Sequence, residues 1–253
     1  MYLPTFTIKK IDPELNARFI TNYLSKEKQA NTSRPFFDKT IGLYPELAGA
    51  GDIADEDERR AVIREAVLKR LSENDEAIGE RMEHFREEFD KFIYKNIEAQ
   101  CRLFGYEWSE QDPEICCYVG YLPFYPRSAE DKCFFVSYQD EERVFAGAVH
   151  EINHMIFWGR WKELHGAHGP EPAYPDPLWY LEEILVDPTL NDARVRPYTL
   201  YDNKAYPQFY EKNAKGGLSI MDRVKACYEL YKDDMAEFFE RAYEIVAAEY
   251  AGD

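Results

Sequence analysis

The sequence has few cysteines and no long apolar run, and each shortage excludes a class of protein. Its five cysteines are odd in number and none are spaced as C-x-x-C, which argues against a disulfide framework and a cysteine metal site. No window approaches 18 consecutive apolar residues, so we expect no transmembrane helix. The first seven residues lack the basic and apolar segments of a signal peptide. We therefore predict a cytoplasmic protein with reduced, mostly buried thiols.

The chain also has a deficit of basic residues. Its 31 lysines and arginines face 48 aspartates and glutamates, which gives a formal net charge of −17. Phosphate backbones and anionic lipids repel such a surface, so we predict neither nucleic acid nor membranes as partners. Hydrophobic residues make up 45% of the 253 positions, which indicates a folded globular protein. We expect a single domain over residues 1–253, or two lobes that comprise a mostly helical part, 1–108, and a second part, 109–253.

Local patterns predict an α+β protein that is predominantly helical and has a small β-sheet. Two segments rich in β-formers, residues 115–122 and 133–138, predict two strands. Apolar residues spaced four and three apart form one stripe on an otherwise charged helix. The stripe consists of Ile78, Met82, Phe85, Phe89 and Phe92. We expect this stripe to pack on a core.

Further helices are predicted for residues 14–28, 143–161 and 219–250. Asp176 and Pro177 predict one more helix start, with Asp176 as the N-cap and Pro177 in the first helical position. Pro188 predicts the end of that helix, because the residue before a proline disfavours helical geometry. Ser219 and Asp222 have the spacing of a capping box.

The most informative segment is the pentapeptide His150-Glu151-Ile152-Asn153-His154, which lies in uncharged, largely apolar surroundings. Residues four apart lie on one face of a helix, so His150 and His154 can direct two imidazoles at a single ion. Glu151 is placed to reach a water molecule bound to that ion. This pattern is typical of a zinc-dependent hydrolase in which the glutamate is the general base.

Two histidines leave such a site one protein ligand short, because catalytic zinc usually takes three. A third histidine six residues after the second is excluded, since that position is Arg160. The best source is the acidic pair Glu182 and Glu183 on the next predicted helix. At about 100° per residue, Glu182 falls within the apolar arc of that helix and Glu183 lies at its edge with Asp187. Both glutamates therefore remain candidates.

From Val149 to Asp187 the chain resembles the gluzincins, the metallopeptidases of the thermolysin and neprilysin type. Their second helix carries a glutamate ligand followed four residues later by an aspartate, which implies Glu183 as the third zinc ligand and Asp187 as its companion. The resemblance also implies that Asp187 hydrogen-bonds His150 and fixes the tautomer of that imidazole. It implies a zincin-like core, with a small β-sheet, an active-site helix and a C-terminal helical part, and makes residues 109–253 the catalytic part.

These features together predict a zinc metallopeptidase that takes a peptide or protein as substrate. Zn²⁺ would lower the pKa of its bound water molecule towards about 7. Glu151 would take the proton of this water and return it to the leaving amine. One alternative is a non-catalytic metal-binding or regulatory protein that keeps the fold. Another is a zinc hydrolase that acts on non-peptide amides or esters.

Five further residues are weaker candidates. His165 and His168 flank a glycine-containing loop and could approach the metal or the substrate. An oxyanion donor is also expected in such an enzyme, and Tyr174, Tyr198 and Tyr201 lie near the acidic helix in sequence. The pattern does not select one of these tyrosines.

Overall fold

The computed structural model describes residues 1–25, 28, 35–166, 168–200, 202–212 and 217–250. The described part of the chain is α+β: 61% of its residues are helical, and four strands form one small mixed sheet. This confirms the predicted class. The helix predicted for residues 14–28 is present but shorter, because it ends at Tyr23 with Leu24 as its C-cap; residues 26 and 27 lie outside the described residues.

The helices of the described chain connect through short loops and 3₁₀ turns. The helices are α1 (Pro13–Tyr23), α2 (Phe36–Leu43), α3 (Glu56–Glu73), α4 (Asp75–Phe89), α5 (Ile93–Phe104), α6 (Glu141–His165), α7 (Pro177–Leu190), α8 (Ile220–Tyr231) and α9 (Met235–Tyr250). The strands are β1 (Thr5–Lys10), β2 (Glu114–Gly120), β3 (Arg127–Ser128) and β4 (Cys133–Ser137).

The sheet has the strand order β1-β2-β4-β3. Both β1 and β4 run parallel to β2, and the two-residue strand β3 runs antiparallel to β4 at the edge of the sheet. The central strands β2 and β4 are largely buried, which fits their content of aromatic, cysteine and valine residues. They are the two strands that the sequence predicts. The edge strand β3 matters for the site because it carries Arg127.

Capping explains where the site helices begin and end. Helix α6 begins after Asp140, whose side chain accepts a hydrogen bond from the Arg143 amide, and it ends at Gly166 in the left-handed conformation (φ 59°). It is thus longer at both ends than predicted. Helix α7 begins as predicted, because Asp176 accepts a hydrogen bond from the Leu178 amide at 2.8 Å. The predicted capping box of Ser219 with its third helical residue is also present.

Helix α7 was expected to end near Pro188, and it continues through this proline to Leu190. A proline inside a helix removes one backbone hydrogen bond and crowds the carbonyl four residues earlier. Here only the last turn is affected, and the Asn191 amide still bonds the Asp187 carbonyl at 3.2 Å. Every residue from Leu178 to Leu190 is buried, so packing on all sides of α7 offsets the local cost.

The aromatic stripe on α4 packs into the core as predicted. Ile78, Met82, Phe85 and Phe89 are buried in α4, and Phe92 is buried just after it. The ring of Phe89 lies 4.9 Å, between centroids, from the ring of Phe145 at the start of α6. The stripe therefore fixes the first turns of α6, the helix that carries both histidines of the pentapeptide.

Two findings bear on the composition of the chain. All five cysteines are free and buried, as expected. Among the described residues, none of the helices combines the length and the apolar character needed to cross a bilayer.

Candidate metal and catalytic site

The two histidines of the pentapeptide face each other on α6. The Nε2 atoms of His150 and His154 are 2.7 Å apart. Two nitrogen lone pairs repel at this distance, so one proton must lie between them when no cation does. The His154 side chain is fully buried, whereas 26% of the His150 side chain is exposed. The site is therefore open to solvent on the side of His150.

Helix α7 brings one glutamate to this histidine pair. Oε2 of Glu183 lies 3.5 Å from Nε2 of His150 and 3.7 Å from Nε2 of His154. The donor atoms of these three residues all lie within 4.8 Å of one another. A tetrahedral zinc ion about 2.05 Å from each donor would separate them by about 3.3 Å. The observed distances lie on both sides of that value, so small side-chain rotations would accommodate an ion.

A buried polar network sets the position of α6 against α5 and α7. Asn153, inside the pentapeptide, donates one hydrogen bond to Gln100 on α5 at 2.8 Å and one to Thr189 on α7 at 3.0 Å. Gln100 in turn donates to the backbone carbonyl of Val149 at 3.3 Å. Buried polar groups demand partners, so this network resists rotation of α6 that would turn the histidines away from α7.

The other glutamate of the acidic pair takes a different partner. Glu182 is fully buried and accepts a hydrogen bond from Nη2 of Arg127. Its second carboxylate oxygen is buried without a hydrogen-bond partner. The structure thus brings Glu183 to the two imidazoles and Glu182 to Arg127 on the edge strand.

Arg127 is a functional candidate that sequence reasoning missed. Its guanidinium lies among four carboxylates: those of Glu151, Glu171, Glu182 and Glu183. Burial opposes the charge of Arg127, but these carboxylates outweigh that effect and raise its pKa. Arg127 lies in β3, between the two strands that the sequence predicts, and nothing in the sequence of that segment indicated a contact with the pentapeptide.

The site carries more negative than positive charge. One guanidinium faces four carboxylates, so the formal surplus with all groups ionised is three negative charges. Burial raises the pKa of Glu151, and Arg127 and His150 oppose that rise only in part. Burial also raises the pKa of Glu182 well above its usual range. The positive charge near these buried carboxyls is therefore too small to keep all of them ionised.

The two imidazoles differ in protonation. Burial lowers the pKa of His154 well below its usual range, so this ring is neutral at pH 7. Burial also acts to lower the pKa of His150, but the carboxylates of Glu183 and Glu151 outweigh it and raise the pKa. Of the two rings, His150 is therefore the more basic.

Asp187 lies one turn after Glu183, but its hydrogen bonds differ from those that the resemblance implies. Its Oδ2 accepts from the hydroxyl of Tyr210 at 2.5 Å, and its Oδ1 is 2.8 Å from Nζ of Lys225. Asn191 also donates to Oδ1 at 3.1 Å. Among the described residues, these groups take the place of His150 as partners of Asp187. Tyr210 and Lys225 lie 23 and 38 positions further along the chain, and sequence reasoning missed both.

The weaker candidates lie outside this cluster. His165 is hydrogen-bonded to Glu240 at 2.7 Å, and His168 is exposed. Tyr174 has 64% of its surface exposed. The backbone carbonyl of Tyr198 accepts a hydrogen bond from α5, and Tyr201 lies outside the described residues. None of the four described residues is among those that contact the imidazole pair or Arg127.

Comparisons with protein-family models, curated proteins and solved structures gave no significant match.

Proposed function

We propose that this protein is a zinc-dependent hydrolase, and more specifically a metallopeptidase that cleaves peptide or protein substrates. One observation carries the proposal: the donor atoms of His150, His154 and Glu183 converge within 4.8 Å, and Glu151 lies beside them on the same helix. A pair of imidazoles with one carboxylate is a donor set of catalytic zinc sites, which leave a fourth position open.

The charges around the cluster support a divalent cation. The surplus of carboxylates over guanidinium is unfavourable in a buried site, and an ion bound between His150 and His154 would reduce it. The low pKa of His154 keeps this imidazole neutral at neutral pH, the form in which a ring nitrogen can bind a cation. His150 has the higher pKa and would release its proton on binding.

When bound, zinc would polarise the scissile carbonyl and lower the pKa of a water molecule. Glu151 is the base of the proposed reaction: a carboxylate oxygen accepts a proton from the attacking water and later delivers it to the leaving nitrogen. Burial raises the pKa of Glu151, which makes its carboxylate a stronger base and its acid form a better match to a proton donor near neutral pH. Only 7% of Glu151 is exposed, which limits competing proton exchange with bulk water.

The proposal is tested with chelator-stripped protein that is reloaded with zinc and mixed with a library of quenched fluorescent peptides. We expect cleavage that depends on zinc. The variant Glu151→Gln should bind the same amount of zinc but lose about 10²- to 10⁴-fold in kcat, the usual contribution of a general base. Glu142→Gln, at an exposed position of the same helix, is the matched control and should keep full activity.

Other outcomes point elsewhere. Zinc binding without cleavage of any peptide would favour a metal-binding or regulatory protein. Equal activity of Glu151→Gln and the parent would remove Glu151 from the chemistry. Absence of bound zinc at all would overturn the proposal.

A further inference from the structure

Arg127 contacts carboxylates from three separate segments of the chain. Its Nε and Nη2 atoms lie 2.8 and 2.7 Å from Oε1 of Glu171, in the segment before α7. Its Nη2 also donates to Glu182 on α7. Its Nη1 lies 3.3 Å from Oε2 of Glu151 on α6. The guanidinium thus joins the edge strand to both helices of the candidate site.

We propose that Arg127 is a positioning residue for hydrolysis. It holds the carboxylate of Glu151 in its working orientation, while Glu171 and Glu182 hold the guanidinium itself. This inference deepens the proposed function and rests on it, because Glu151 has a working orientation only if it acts as the base.

The hydrogen-bond pattern supports a directional role. Among the described residues, Arg127 supplies the one side-chain hydrogen bond to the carboxylate of Glu151. A glutamate has several rotatable bonds, so without that contact its carboxylate can adopt other orientations. Displacement of a catalytic group by about 1 Å can cost about 10²-fold in rate.

The geometry also requires an arginine. One edge of the guanidinium, Nε and Nη2, is taken by Glu171 and Glu182, and the remaining nitrogen, Nη1, reaches Glu151. A planar fork with five donors can bond in two directions at once, whereas a lysine ammonium is a compact charge on a flexible chain. Lysine at position 127 would preserve the charge but not both sets of contacts.

A purely structural role is the competing explanation. In that case Arg127 only offsets the charge of the buried acids, and its loss would act by unfolding the site. The two roles separate in a variant that removes the arginine together with its two anchoring charges. Arg127→Met combined with Glu171→Gln and Glu182→Gln has no uncompensated anchor charge, yet still lacks the donor to Glu151.

The experiment compares the parent, Arg127→Lys, Arg127→Met and the triple variant. Zinc content and thermal melting identify folded, metal-loaded protein, and kcat and KM are measured separately. We expect the triple variant to fold and bind zinc like the parent, with kcat lower by about 10- to 100-fold and KM within about threefold. Compared with Arg127→Met, the variant Arg127→Lys should bind zinc like the parent but regain only part of the parent's kcat. Arg143→Met, at an exposed arginine paired with Asp140, is the control and should match the parent.

A crystal structure of the triple variant supplies a readout that does not depend on turnover, since the Glu151 carboxylate should change orientation. An active parent and an equally active triple variant would overturn the positioning role alone. An inactive parent would overturn the proposed function and this role with it.

Discussion

Zinc should stabilise this protein against heat, and the size of the effect follows from the site and the chain length. A ligand that binds only the folded state at about 1,000 times its Kd adds about 4.1 kcal/mol to the free energy of unfolding. Unfolding entropy is about 2.1 cal/mol/K per residue, which gives about 0.53 kcal/mol/K for 253 residues. Zinc at that concentration should therefore raise Tm by about 8 °C.

The two adjacent glutamates make this prediction specific. Glu183→Gln removes a donor that lies 3.5 Å from His150 Nε2. If this variant binds zinc about 100-fold more weakly, the same zinc concentration adds only about 1.4 kcal/mol to the free energy of unfolding. The expected rise in Tm is then about 3 °C. Glu182→Gln changes a carboxylate that pairs with Arg127 and should keep most of the 8 °C shift expected from about 4.1 kcal/mol.

The assay is differential scanning calorimetry of chelator-stripped protein with increasing zinc. His84→Ala, which removes a partly exposed histidine bonded to Glu141, controls for zinc bound elsewhere and should shift like the parent. The reasoning is refuted if Glu183→Gln keeps the full shift, or if Glu182→Gln loses it while Glu183→Gln does not.

Two further predictions concern packing and pH. In Gly159→Ala, the new Cβ would lie 2.7 Å from ring atoms of buried Tyr106. Overpacking should therefore lower the free energy of unfolding, measured by urea denaturation, by about 1–3 kcal/mol. The control Gly79→Ala meets no atom within 4 Å and should stabilise its helix by about 0.4–1 kcal/mol. Despite partial burial, hydrogen bonds from an arginine and a tyrosine lower the pKa of Asp192 from 3.8 to about 2. Above pH 4, Asp192→Asn should therefore lower the free energy of unfolding by about 2 kcal/mol, and this difference from the parent should shrink as the pH falls towards about 2. A difference that stays constant with pH, or an equal loss in the variant Asp233→Asn at an exposed position, would contradict this.

Sequence reasoning succeeded where the signal is local. The strands β2 and β4, the stripe on α4 and the caps at Asp176 and Ser219 each depend on residues within a few positions of one another, and the structure contains all of them. The spacing within the pentapeptide is equally local, since one helical turn suffices to bring His150 and His154 together.

Sequence reasoning failed where a contact joins distant segments. Arg127 and Glu151 are 24 positions apart, and Tyr210 and Asp187 are 23 apart. No periodicity links such pairs, because each pairing depends on how a sheet edge or a loop is placed against a helix. The partner of Asp187 was expected from a resemblance, and the polar groups that pack around the end of α7 in this chain provide different partners.

The choice between Glu182 and Glu183 shows why the apolar arc of a helix could not identify the ligand. That argument assumes that one face of the helix is buried and the other is solvated, but α7 is buried on every side. Glu182 is buried, as its place within the apolar arc indicated, but its carboxylate contacts Arg127 and not the imidazoles. Glu183 also points inward, toward the imidazoles. Burial of two adjacent acids is costly without nearby positive charge or donors, and here Arg127 donates to Glu182, whereas Glu183 is the carboxylate that lies beside the two imidazoles.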